Sequence, residues 1–105
     1  MSSEDCPVTA ALEVIGGKWK PVILYQLRNG AMRFGELRRA VPKATQKMLT
    51  QQLRDLERDG IIDRFVHAVV PPKVEYSLTN YGRTLKPLLA EMCAWGKKHR
   101  ARALK

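Results

Sequence analysis

The sequence predicts a mainly α domain with one small β-hairpin, an α+β class, and three observations lead there. Apolar residues recur at helical spacing through most of the chain, as at Met48, Leu49, Leu53 and Leu56. Residues 61–78 differ: they are rich in β-branched and aromatic residues and end in strict alternation, with Val74, Tyr76 and Leu78 set against Lys73, Glu75 and Ser77. Glycine or proline punctuates the boundaries, at Gly16-Gly17, Asn29-Gly30, Pro42, Gly60 and Pro71-Pro72. A short helix, a turn, a longer helix and then a hairpin is the order of a winged helix-turn-helix, a fold expected here as a dimer.

Five helices and one hairpin are expected. The first helix starts at about Pro7, which suits an early helical position because proline lacks an N–H donor. It ends at Ile15, before the glycine pair. The second runs from about Lys18 to Arg28. Trp19, Val22, Ile23, Leu24 and Leu27 make it dense enough to be buried, and Pro21 is tolerable there only in the first turn. The third is short, from about Phe34 to Ala40, with Phe34, Leu37 and Val41 turned inward. Pro42 breaks the chain, and Thr45 is placed to cap the fourth helix, which Gly60 ends.

Ile61 to Ala68 reads as a strand, Val69 to Pro72 as the turn and Lys73 to Leu78 as the return strand. The last helix is expected from near Thr79-Asn80 to about Lys98, kinked by Pro87 in its interior. Its stripe of Tyr81, Leu85, Leu88, Leu89, Met92 and Trp95 is wide for so small a domain. Either it lids the core, or part of it packs on a second subunit, with Leu85, Leu88, Leu89, Met92 and Trp95 as the dimerisation residues. The expected organisation is a flexible N-terminus over 1–5, one domain over 6–98 with dimerising helices at both ends, and a basic tail over 99–105.

A chain of 105 residues suits a single domain, and its 19 Lys and Arg against 10 Asp and Glu leave a net charge of +9. Such a balance suggests a polyanionic partner. The charge is concentrated: between residues 28 and 54 stand Arg28, Arg33, Arg38, Arg39, Lys43, Lys47 and Arg54 against Glu36 alone. Other classes are disfavoured. Cys6 and Cys93 make no disulfide framework, and His67 and His99 are isolated, so no metal or other cofactor is expected. There are no paired carboxylates, no nucleophile with a nearby base and no Gly-rich phosphate loop, so the chain does not read as an enzyme. Without a signal peptide or an apolar span, the expected location is the cytoplasm, with no membrane partner.

The fourth helix carries the functional reading. Opposite its apolar face stand Gln46, Lys47, Thr50, Gln51 and Arg54, and amide and guanidinium groups match base edges in the major groove. These residues, with the cap Thr45, are expected to approach bases or flanking phosphates of a double-stranded DNA operator. Arg38, Arg39 and Lys43 are expected on backbone phosphates, and Arg64 and Lys73 on the wing near the minor groove. Three alternatives stay open: a merely solvated polar face, a winged-helix module for protein partners, and a DNA packer indifferent to sequence.

Several stretches also resemble one known family. They are Cys6-Pro7-Val8, Gly16-Gly17-Lys18-Trp19-Lys20, residues 33–39 from Arg33 to Arg39, residues 47–54 from Lys47 to Arg54, residues 71–79 from Pro71 to Thr79, and Trp95-Gly96. In this order the chain resembles the HxlR-type winged helix-turn-helix regulators, which are MarR-like dimers, across about residues 6 to 98. His67, Val69 and Gly35 depart from the family pattern, the first two within the wing. The resemblance implies a bacterial, nucleoid-associated transcriptional regulator, a repressor in the first instance, acting as a homodimer on a pseudo-palindromic operator. It also implies that a cysteine at the position of Cys6 can sense oxidants or small electrophiles. The residues alone leave Cys6 between that role and simple packing of the first helix. A helix start favours negative charge, whereas Glu4 and Asp5 oppose it. Cys93 is expected in core or interface packing.

Overall fold

The computed structural model describes residues 6–103; the N-terminus expected to be flexible, residues 1–5, lies outside the described residues. In chain order the elements are α1 (Pro7–Ile15), α2 (Trp19–Gln26), β1 (Met32–Arg33), α3 (Phe34–Ala40), α4 (Gln46–Arg58), β2 (Ile62–His67), β3 (Lys73–Leu78) and α5 (Lys86–Ala103). Tight 3-10 turns over Leu27–Asn29 and Gly82–Leu85 close α2 and lead into α5.

The core forms where α2, α3 and α4 meet one face of the sheet. Ile23, Leu24 and Leu27 of the second helical segment, Leu37 of α3, and Leu49, Leu53 and Leu56 of α4 are buried with Ile61, Ile62, Tyr76 and Leu78. Each fully buried aliphatic side chain contributes about 1.5–3 kcal/mol, so these contacts dominate the placement of α4. Met48, expected on that apolar face, is instead 40% exposed, because it stands at the margin of the stripe rather than on its centre line. Thr45 does cap α4: its hydroxyl accepts from the Met48 N–H at 3.1 Å. Gly60 follows α4 with φ of +73°, a left-handed conformation that glycine reaches without a Cβ penalty.

The sheet has three strands in the order β1-β3-β2, all antiparallel. The hairpin register pairs Ile62 with Leu78, Arg64 with Tyr76 and His67 with Lys73. The third strand, with Met32 opposite Tyr76, has no signature in the sequence, because two residues are too few to show alternation. It ties the start of α3 to the base of the hairpin.

The C-terminal helix differs from expectation. It begins at Lys86 and continues to Ala103 rather than about Lys98, so part of the basic tail is helical. Pro87 lies in its first turn and produces no interior kink. Lacking an N–H, Pro87 cannot donate to the Arg83 carbonyl, which instead accepts from Lys86 in a tighter turn. Thr79 anchors this junction. Its hydroxyl donates to the Gly60 carbonyl at 2.7 Å and accepts from the Gly82 N–H at 2.8 Å.

Gly82 is buried there against the Ile61 backbone, where a Cβ would stand 2.1 Å from the carbonyl oxygen. Replacing Gly82 with Ala is therefore expected to destabilise the fold by about 1–3 kcal/mol, the usual range for overpacking. Urea unfolding monitored by circular dichroism measures it; an unchanged midpoint would mean that the junction has slack.

Candidate nucleic-acid interface

Because Leu49, Leu53 and Leu56 turn one side of α4 into the core, the helix must present its other side to solvent. Gln46, Lys47, Thr50, Gln51 and Arg54 line one shallow, open depression on that side, with a volume of about 470 Å³. These five expected side chains are therefore contiguous, while Thr45 caps the helix start with its hydroxyl. Neighbouring Arg38 and Arg39 lie with Gly35 and Pro42 along a second depression, and Lys43 is exposed in the connecting turn. Arg38 also reaches α4, where its guanidinium donates to Gln46 Oε1 at 3.3 Å.

The two wing residues behave differently from each other. The pleat puts Arg64 on the same side of the sheet as Tyr76 and Leu78, facing α4. It shares a cleft of about 360 Å³ with Thr50, Arg54, Glu57 and Tyr76, so it stands at the root of the wing and continues the α4 surface. Among the described residues, neither Arg54 nor Arg64 has an ion-pair partner. Lys73, by contrast, pairs with Glu75 at 3.3 Å, and the imidazole of His67 contacts the same carboxylate oxygen. Its charge is partly neutralised inside the wing.

Asp55 of α4 carries no expectation from the sequence. Its side chain is only 19% exposed and sits 3.7 Å from Lys20 of α2, while Gln51 donates to it at 3.0 Å. The spacing of Gln51 and Asp55, four apart on a helix, is the signal that could have found the pair.

The expected dimerisation residues divide. Leu89 is buried in the chain's own core, and Leu85 is partly buried against it. Leu88, Met92 and Trp95 are exposed, as are Val8 and Leu12 of α1. Trp95 stacks on His99 at 5.1 Å. Between α2 and α5 runs a groove lined by Pro21, Val22, Tyr25, Met92, Cys93 and Gly96. The neighbouring Cys93 side chain, followed by burial, holds the Tyr25 phenol above its ordinary value against the opposing charge of Arg28. Cys6 is half-buried at the start of α1, where its carbonyl accepts from the Thr9 N–H at 2.9 Å. Among the described residues no cluster of three metal-ligating side chains occurs, and no helix is long and apolar enough to cross a membrane.

Residues 14–103 match the family described as HxlR-like helix-turn-helix. YdeP of Bacillus subtilis, an HTH-type transcriptional regulator, is 58% identical over 99 residues, covering 94% of this chain and 77% of YdeP. YtcD of the same organism, likewise an HTH-type transcriptional regulator, is 61% identical over 92 residues, covering 88% of this chain and 73% of YtcD. Among solved structures, the redox regulator HypR in its oxidized form superposes with a TM-score of 0.86 at 56% identity, covering 89% of this chain and 96% of that one.

The wing carboxylate has a consequence for acid stability. Burial pushes Glu75 up, but hydrogen bonds from Lys73 and His67, together with their charges, outweigh it and hold the carboxyl below its usual range. A carboxyl lowered on folding contributes stability above its unfolded value of about 4.3, and that contribution is lost as pH falls through the lower folded value. Thermal melts of the wild type and Glu75→Gln across this acid range are expected to converge as pH falls. Parallel curves would show that Glu75 contributes nothing.

Proposed function

This chain belongs to the HxlR-like helix-turn-helix family, a family of transcriptional regulators rather than enzymes, and we propose how its surfaces carry out that role. It works as a homodimer on a pseudo-palindromic operator. Each α4 enters the major groove with half-sites roughly 34–36 Å apart. Gln46, Lys47, Thr50, Gln51 and Arg54 meet base edges and flanking phosphates there, with Thr45 fixing the first turn. Arg38, Arg39 and Lys43 hold backbone phosphates on one flank of α4, and Arg54 with Arg64 does so at the root of the wing. Lys73 stays a weaker candidate because of its bond to Glu75. The observation that supports this reading best is the single depression that gathers the amide, hydroxyl and cationic side chains of α4 without an acid among them.

Dimerisation is supported by the state of the ends. α1 buries only Ile15 and leaves Val8 and Leu12 64% and 59% exposed. A nine-residue helix is marginal on its own in water, so it needs tertiary support. The radius of gyration is 15.3 Å, where a compact domain of this length has about 13 Å. Helices α1 and α5 extend from the core with apolar faces uncovered, and the second copy's α1 and α5 would cover Leu88, Met92 and Trp95. Repression follows from occupancy of promoter DNA. In the proposed regulation, an oxidant takes two electrons from the Cys6 thiol, or an electrophile alkylates it. Either change alters the start of α1, hence the dimer geometry and the half-site spacing. The likeness to HypR supports this assignment.

Fluorescence anisotropy of the reduced protein on its own upstream intergenic DNA, with scrambled DNA as competitor, tests the regulator. Preference of at least about a thousandfold for the upstream DNA is expected. Affinity should fall by about 10³–10⁵ between roughly 50 and 200 mM salt if six to ten phosphates are neutralised. Equal binding to both DNAs would favour an indifferent DNA packer, and no binding a protein-interaction module. A separate experiment addresses the thiol: Cys6→Ser is expected to stay on DNA under oxidant that releases the wild type. If the variant is released equally, Cys6 is a packing residue.

A further inference from the structure

Two glutamines on the reading face are held by partners of opposite hydrogen-bonding character. Gln51 donates through Nε2 to Asp55 Oδ1 at 3.0 Å. Gln46 accepts through Oε1 from the Arg38 guanidinium at 3.3 Å. An ionised carboxylate only accepts and a guanidinium only donates, so the chemistry of the partners dictates which end of each amide faces them. Asp55 is itself held in place. Besides Gln51 it has Lys20 of α2 at 3.7 Å and Arg58 at 3.3 Å, and its side chain is 19% exposed.

We propose that Asp55 and Arg38 are positioning residues that set the polarity with which α4 meets base edges. This rests on the reading of α4 as the DNA-reading helix. With one N–H of its amide held by Asp55, Gln51 keeps Oε1, an acceptor, turned away from that carboxylate. It selects a base that carries an amino donor in the major groove, adenine through N6 or cytosine through N4. With its oxygen committed to Arg38, Gln46 presents Nε2, a donor. It selects a base that offers an acceptor, such as the O6 or N7 of guanine or the O4 of thymine. A free glutamine turns its amide over and serves either kind of base. Tethered in this way, the two glutamines become distinguishable readers, and Asp55 acts on specificity without touching DNA.

The test is selection of binding sites from a randomised duplex pool with the full-length protein, comparing wild type with Asp55→Asn, Gln51→Ala and Lys20→Met. The amide introduced by the first variant keeps the shape of the carboxylate but can donate or accept, which releases the constraint on Gln51. Wild type is expected to prefer adenine or cytosine by about tenfold at one position of each half-site. Asp55→Asn should reduce that preference to about twofold or less, with the other positions unchanged. Gln51→Ala should relax the same position, which keeps the test decisive if Asp55→Asn fails to fold. Lys20→Met removes the ion pair between α2 and Asp55 but leaves Arg58 and the Gln51–Asp55 bond in place, so it should keep the wild-type preference.

A uniform gain in affinity for all sequences in Asp55→Asn, from removal of a carboxylate near phosphates, with preferences intact, would overturn the proposal. So would loss of the same preference in Lys20→Met, which would trace it to helix placement. If the wild type selects no consensus at all, the DNA-reading assignment itself fails. A consensus that survives Asp55→Asn and Gln51→Ala removes only the positioning role.

Discussion

Burial of one face of α4 is the constraint on which the rest of the molecule depends. Leu49, Leu53 and Leu56 can leave water only by seating α4 across α2 and the sheet, against Ile23, Leu24 and Ile62. A rigid helix seated on one side has no freedom in what it shows on the other. Gln46, Lys47, Thr50, Gln51 and Arg54 therefore face outward together, and they do so before any ligand arrives. Preorganisation of this kind limits the ordering cost of binding to side chains.

The surrounding elements make that seat rigid and extend the surface. The Thr45 cap fixes where α4 starts, and Gly60 fixes where it stops. Beyond Gly60 the chain turns directly into β2, so the wing leaves the core at a set angle and carries Arg64 back beside Arg54. Thr79 bonds the far end of the hairpin to the same Gly60 carbonyl. The helix, its stop and the wing root are thus one hydrogen-bonded unit, and Arg54 and Arg64 share a cleft where helix and wing meet. Polar contacts within the face add direction to charge, since Asp55 and Arg38 each restrain a neighbouring amide.

The outer helices follow a different logic. A small domain has little core to share, and α1 takes only one buried residue from it. Val8 and Leu12 of α1, and Met92 and Trp95 of α5, lie outside this chain's own core. Under the proposed dimer, a change at the start of α1, where Cys6 sits, would alter how two reading heads are spaced without touching either head.

Much of this was legible in the sequence, and the limits have physical causes. Helical periodicity with strong stops placed α3, α4 and the hairpin closely, because each is punctuated by proline, glycine or a capping residue and each has an unambiguous apolar face. The composition of the outer face of α4 and the local charge excess pointed to DNA. By contrast, β1 is too short to show a pattern and exists only because β3 offers an unpaired edge. The division of the α5 stripe, with Leu89 inside and Trp95 outside, could not be read, because periodicity marks a face but not what covers it. Pro87 sits at a helix start rather than at an interior kink, because the preceding residues form a tighter turn that its own position does not reveal. Local chemistry, then, was determined by the sequence alone: which segments are helical, where α3 and α4 end and which groups face outward from α4. Only the tertiary structure decided which of those groups meet across elements, such as Asp55 with Lys20, Arg38 with Gln46 and Arg64 with Arg54. Such meetings depend on the angles at which helices and strands pack, and no single segment encodes those angles.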